Sequence, residues 1–300
     1  MRTATYDRGV TSGAVGRPPE EMNQSPSKLR LSYAAQVNTR LKRCLVRAVE
    51  VAGGGLQLER LYRKNQRAPR SNESFWTACI RHLRLDLAFD RAALENAPRT
   101  GPLVVISNHP YGVLDGVAIC HLVEQFRQDF MILASAVLVQ VPEVQPHLLP
   151  IDLSGRPEAK KFNAATRRKA LAHLQRGGSL IIFPAGLIST APDRWGREQA
   201  IDPPWGTFTA KLIRRSQASV LPVFFSGQNG RLFQMVSHIS RTVRLALIFH
   251  EVKARMGTCL PVAIGQPITH AEWASMGDDR TLTQELRRRT YALAPARPMG

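Results

Sequence analysis

The stretch VVISNHPYGVLDG, from Val104 to Gly116, constrains this chain more than any other. It opens with a β-branched run, the composition of a strand buried on both faces. It then breaks. Pro110 has no N–H to give a ladder and pushes His109 into extended geometry, and Gly112 permits a sharp turn. Beyond Asp115 the apolar residues return at helical spacing through Val117, Ala118, Cys120 and Leu122. A strand that ends in a polar loop and resumes as a helix is where α/β proteins seat their chemistry.

That loop holds one imidazole and one carboxylate, His109 and Asp115, with five residues between them. Imidazole titrates near neutral pH, so it can take a proton from a hydroxyl and later return it. A carboxylate on the other ring nitrogen fixes the tautomer and stabilises the imidazolium as it forms. No serine or cysteine in the motif stands beside the pair as an obvious nucleophile, so the simplest chemistry activates the substrate's own hydroxyl. The competing reading is a helix N-terminus, with Asp115 as its cap and His109 as a loop residue.

The formal charge of +18 over 300 residues implies an acidic partner, either nucleic acid or an anionic membrane surface. No helix-turn-helix, zinc-finger or aromatic RNA-binding pattern is present, which argues against nucleic acid. Cys44, Cys79, Cys120 and Cys259 lie far apart without metal or disulfide spacing and read as buried thiols in a reducing compartment. No apolar stretch is long enough to span a bilayer, so membrane contact would be peripheral.

Residues 1–30, rich in Gly, Pro, Ser and charge, read as a flexible leader, and 31–300 as one domain. Within it, 31–90 form an N-terminal helical part, 91–270 the catalytic core, and 271–300 a closing helix and tail. Helices are expected from Leu31 to about Lys64, broken at Gly53–Gly55, and after Asn72 or Ser74, either of which can cap. Leu83, Leu85, Leu87 and Phe89 alternate as a strand does, and Ala92 to Pro102 reads as a connector. Further buried runs are Phe130–Ala134, Val137–Val141, Leu180–Phe183, Val220–Phe225, Val243–Phe249 and Pro261–Ile264. Helices over Pro157–Gln175, Thr207–Gln217 and Leu282–Leu293 alternate with them. The alternation predicts an α/β fold, a mostly parallel mixed sheet flanked by helices, with an N-terminal helical segment. Pro222 inside its run suggests an edge strand or a bulge.

These blocks, from about Leu31 to Ile268, resemble the glycerolipid and lysophospholipid acyltransferase family. Asn108-His109-Pro110-Tyr111-Gly112-Val113-Leu114-Asp115-Gly116 is similar to its Asn-His and Asp block. Phe183-Pro184-Ala185-Gly186 is similar to its Phe-Pro-Glu-Gly block, and Leu221-Pro222-Val223 to its Val-Pro-Val block. Two departures, five residues between His and Asp instead of four and Ala185 in place of glutamate, look like the hemolysin-like and ornithine-lipid branch. The missing glutamate argues against glycerol-phosphate acceptors.

The resemblance implies a glycerol-3-phosphate acyltransferase-like fold. It also implies transfer of an acyl chain from a thioester, on acyl carrier protein or coenzyme A, to a lyso-lipid hydroxyl (lyso-ornithine lipid or lysophospholipid). His109 would be general base and Asp115 its orienter. Asn108, Gly112, Phe183, Pro184 and Gly186 would bind substrate, the 183–186 turn offering N–H groups to an oxyanion or a headgroup. No cofactor or metal is implied. Partners would be the lyso-lipid, the thioester carrier and an anionic membrane surface, at the cytoplasmic face of a bacterial inner membrane, with no nucleic acid. The alternatives are a basic nucleic-acid-binding protein, a lipid hydrolase (though no G-x-S-x-G elbow is present) and a scaffold that lost activity.

Overall fold

The computed structural model describes Val49 and residues 53–295. The leader (1–30) and the first part of the expected N-terminal helix lie outside the described residues; Gly55–Arg67 is its described continuation. Seven strands build one sheet: β1 (Asp86–Ala88), β2 (Leu103–Ser107), β3 (Phe130–Ser135), β4 (Leu148–Ile151), β5 (Ser179–Ile182), β6 (Ser219–Phe225) and β7 (Cys259–Ile264). Their order is β1-β7-β6-β2-β5-β3-β4. All neighbours run parallel except β6 and β7, so the sheet is mixed and mostly parallel, as the alternation predicts.

The β-branched run lands at the centre. Every residue of β2 is buried, and its side chains divide between two cores by the period of two. Leu103 and Val105 join Ile181, Leu221 and Val223 beneath the helices Phe75–Leu83 and Val113–Glu124. Val104 and Ile106 join Leu180, Ile182 and Val220 on the opposite face, under Pro157–Gln175, Phe208–Ser216 and Asp279–Tyr291. A fully buried side chain of this kind contributes about 1.5–3 kcal/mol. The two-sided core therefore fixes which way β2 points and where its C-terminal end emerges.

Several local expectations fail for identifiable reasons. Leu83 closes a helix capped at its start by Ser74 Oγ, which accepts from Thr77 N at 3.0 Å, and only Asp86–Ala88 pair as a strand. The connector after Ala92 contains the short helix Arg91–Glu95, capped by the Asp90 carboxylate. Val137–Val141 forms a 3₁₀ turn, Ala136–Gln140, started by Ser135. Val243–Phe249 belongs to the helices Arg241–Ala246 and Ile248–Ala254. An apolar run of that length does not by itself separate a strand from a buried helix.

Pro222 lies inside the sheet, not at an edge: it is in register with Ile106 of β2. Its carbonyl accepts from Gly265 N at 2.8 Å, just past the end of β7, so the missing N–H falls where that ladder stops. The cysteines are not uniformly buried. Cys120 is, but Cys79 is half-buried and Cys259 is exposed at the start of β7; Cys44 lies outside the described residues.

Candidate active site

The C-terminal ends of β2, β5 and β6 converge, and the chain places His109, Phe183 and the Phe225 backbone there. In parallel sheets this end of the strands is where ligands bind. Asn108 locks the convergence. Its Nδ2 donates to Phe225 O at 2.9 Å, and its Oδ1 accepts from Phe225 N at 2.8 Å. Buried with its amide committed at both ends, Asn108 ties β2 to β6.

His109 is held from three sides. Its N–H donates to Asp202 Oδ1 at 3.1 Å, its carbonyl accepts from Ser189 N at 2.8 Å, and its ring stacks on Phe183 with centroids 4.0 Å apart. Nδ1 lies 3.0 Å from Asp115 Oδ2. The separation is that of a hydrogen bond, but the alignment is poor, and Nδ1 has no well-formed bond. Such contacts in unliganded sites often tighten only when substrate is bound. Nε2, the other ring nitrogen, has no partner among the described residues, and the side chain keeps 18% exposure.

Asp115 stands in both places the sequence offered as alternatives, at the turn before the helix and beside the imidazole. Its Oδ2 accepts from Tyr111 N at 2.8 Å and Gly112 N at 2.9 Å, closing the turn before the helix Val113–Glu124, and the same oxygen faces His109. The carboxylate is fully buried, and Oδ1 has no hydrogen-bond partner. Burial pushes its pKa above the usual carboxylate range; the His109 contact and the two backbone N–H groups oppose that rise. Gly112 is required twice over. Its φ of 82° suits glycine, and a Cβ there would come within 2.7 Å of Ile188 Cδ1.

Phe183 stacks on the His109 ring, but the turn it forms with Pro184 and Gly186 differs from the expectation. Gly186 N donates to Phe183 O at 2.9 Å, so that N–H is spent inside the turn, and Pro184 has none. Ala185 N–H is left without a partner among the described residues. An open groove of about 720 Å³ lies along the 192–201 loop, lined in part by Ile201, Arg197 and Gln228; His109 does not line it. Of the arginines outside the motif, Arg214 is paired with Asp279 at 3.1 Å and Arg167 lies over the Phe208 ring.

Asp202 is the residue that sequence reasoning missed. It is buried, and its carboxylate accepts from His109 N, from Ser189 Oγ at 2.5 Å and from Trp205 Nε1 at 2.8 Å. The one available signal was Trp205, three residues on, whose indole N–H needs an acceptor when buried. An Asp202→Asn variant keeps the shape but sets an amide N–H against one of those donors. The expected result is a loss of about 1–3 kcal/mol in stability together with a lower kcat, read by denaturant melts and steady-state kinetics. Unchanged kcat would remove Asp202 from the positioning of His109.

The geometry defines a class of site: a histidine–carboxylate pair, its imidazole part-exposed, at the carboxyl ends of the strands of a mostly parallel α/β sheet. A family model described as acyltransferase matches residues 57–299, and the chain belongs to that family. A lyso-glycine lipid O-acyltransferase of Bacteroides thetaiotaomicron is 27% identical over 232 residues, covering 72% of this chain and 81% of that protein. Another from Phocaeicola vulgatus is 28% identical over 222 residues, 68% of this chain and 75% of that protein. The crystal structure of the 1-acyl-sn-glycerophosphate acyltransferase PlsC from Thermotoga maritima overlaps with a TM-score of 0.46 at 16% identity, covering 87% of this chain and 83% of that one. That overlap is too loose to bear on function.

Proposed function

We propose that this acyltransferase moves a fatty acyl chain from a thioester, on acyl carrier protein or coenzyme A, to the free hydroxyl of a lyso-lipid. The relatives are named for lyso-glycine lipid, which supports an acceptor with an amino-acid headgroup such as lyso-glycine or lyso-ornithine lipid; lysophospholipid is the other candidate. The observation that carries the reading is the His109–Asp115 contact at 3.0 Å with Nε2 left unpartnered.

In the proposed reaction Nε2 takes the proton as the acceptor oxygen attacks the thioester carbonyl. Asp115 steadies the imidazolium. The tetrahedral intermediate collapses with cleavage of the C–S bond, and the imidazolium returns its proton to the departing thiolate. Ala185 N–H, without a partner among the described residues, is a donor of the 183–186 turn that can serve the oxyanion. The formal charge of +18 favours an anionic membrane surface as the place of work. None of the described helices is long and apolar enough to cross a membrane, and the reading places the protein peripherally at the cytoplasmic face of a bacterial inner membrane.

Product analysis tests this. Full-length protein is incubated with acyl carrier protein or coenzyme A thioesters and a panel of lyso-lipids. A diacylated lipid is the expected product. Free fatty acid as the main product would make the chain a hydrolase and end the reading.

A further inference from the structure

Two short segments next to the histidine, 187–201 and 231–239, carry five of the nine exposed large apolar side chains among the described residues. They form one layer. Gln234 accepts from Ala191 N at 2.9 Å, His238 Nε2 lies 3.0 Å from Ala191 O, and a Cβ on Gly196 would come within 2.6 Å of Gln234 Cβ. The first segment begins against the site, where Ser189 N donates to His109 O.

Trp195 is held out on this layer by design of the loop. The Asp193 carboxylate accepts from the backbone N–H of Trp195, Arg197 and Glu198, and those bonds hold its pKa below the usual range. A loop so pinned leaves Trp195 49% exposed, with the Arg194 guanidinium over its ring. Leu232 is 53% exposed and Ile239 83%. Arg194, Arg197 and Arg231 are exposed around them; Asp193 is engaged in its own turn, which leaves Glu198 as the opposing surface acid.

Aromatic and aliphatic side chains standing in water cost free energy unless something apolar covers them. Arginines interleaved with them suit an anionic headgroup layer, where an indole sits at the boundary of water and acyl chain. We propose that Trp195, Leu232 and Ile239 form the face that inserts into an anionic lipid bilayer, on the layer whose Ser189 end packs against His109. This deepens the proposed reaction, since it rests on a lipid acceptor.

The fold supplies its own probe. Trp76, Trp205 and Trp273 are buried, so Trp195 is the one exposed indole. Full-length protein is mixed with phosphatidylglycerol–phosphatidylcholine vesicles whose acyl chains are brominated. The expected result is quenched Trp emission, absent in Trp195→Phe although that variant still floats with vesicles. Leu232→Asp and Ile239→Asp should each weaken vesicle partition on the order of tenfold or more, with unchanged melting curves. Both should retain transfer to a soluble short-chain lyso-lipid while losing it on vesicles. The face is wrong if the protein does not float, if it floats with Trp195 unquenched, or if both aspartate variants bind like wild type. Failure of the wild type to acylate the soluble acceptor would sink the reaction instead and leave the quenching result standing.

Discussion

Replacing His109 by alanine is expected to cut lyso-lipid acylation by about 10²–10⁴-fold, the usual worth of a positioned general base. The fold should survive. His109 is anchored through its own backbone, to Asp202 and Ser189, and alanine keeps both of those bonds. What is lost is the ring on Phe183 and the partner of Asp115. The stability cost should stay within the ordinary range of about 0.5–3 kcal/mol for a point change. Melting curves and turnover with an acyl thioester, measured together, check both halves. KM for the lyso-lipid should move little, because the imidazole acts in the transition state more than in ground-state binding. A variant that folds and turns over near the wild-type rate would remove the base from the proposed mechanism.

How much of this was legible in the sequence follows from the range of each interaction. The His109–Asp115 contact closes within one short loop, so spacing in that motif was enough to bring the two side chains together, while the roles proposed for them came from the family resemblance. The buried strands were legible because β2 and β5 present apolar side chains to two cores at once, which leaves no polar alternation to confuse the period. Asp202 was not legible. Its carboxylate reaches His109 across 93 positions of chain, from a polar stretch that reads as a solvated loop.

Phe183 and Gly186 were found through the family resemblance, but their contacts, a ring under the imidazole and an N–H spent inside a turn, depend on coordinates. The exposed layer around Trp195 could not be foreseen either. A tryptophan in a polar loop reads equally as a buried anchor, which is what Trp205 ten residues later proves to be.

Asp115→Asn separates the chemistry of the pair from the stability of the fold, and the two should move in opposite directions. Burial raises the Asp115 carboxyl above its unfolded-state value. A group with a raised folded pKa favours folding while protonated, and that contribution is lost as pH rises through the folded value. Once ionised, the carboxylate is therefore a burden on the fold, and its unpartnered Oδ1 shows where solvation was lost. In asparagine the amide oxygen can still accept from Tyr111 and Gly112 N–H, and no charge is buried.

The melting temperature at pH 7 should thus equal or exceed that of the wild type. The wild type's relative gain on acidification should be absent in the variant. Activity should fall by about 10²–10⁴-fold in kcat with little change in KM, because the neutral amide oxygen left facing His109 no longer offsets the imidazolium. Melts from pH 4 to 8 beside steady-state kinetics give both readings. A stable variant with wild-type kcat would reduce Asp115 to a cap on its helix, while a variant that loses stability at pH 7 would mean that the ionised carboxylate is a net support for the fold.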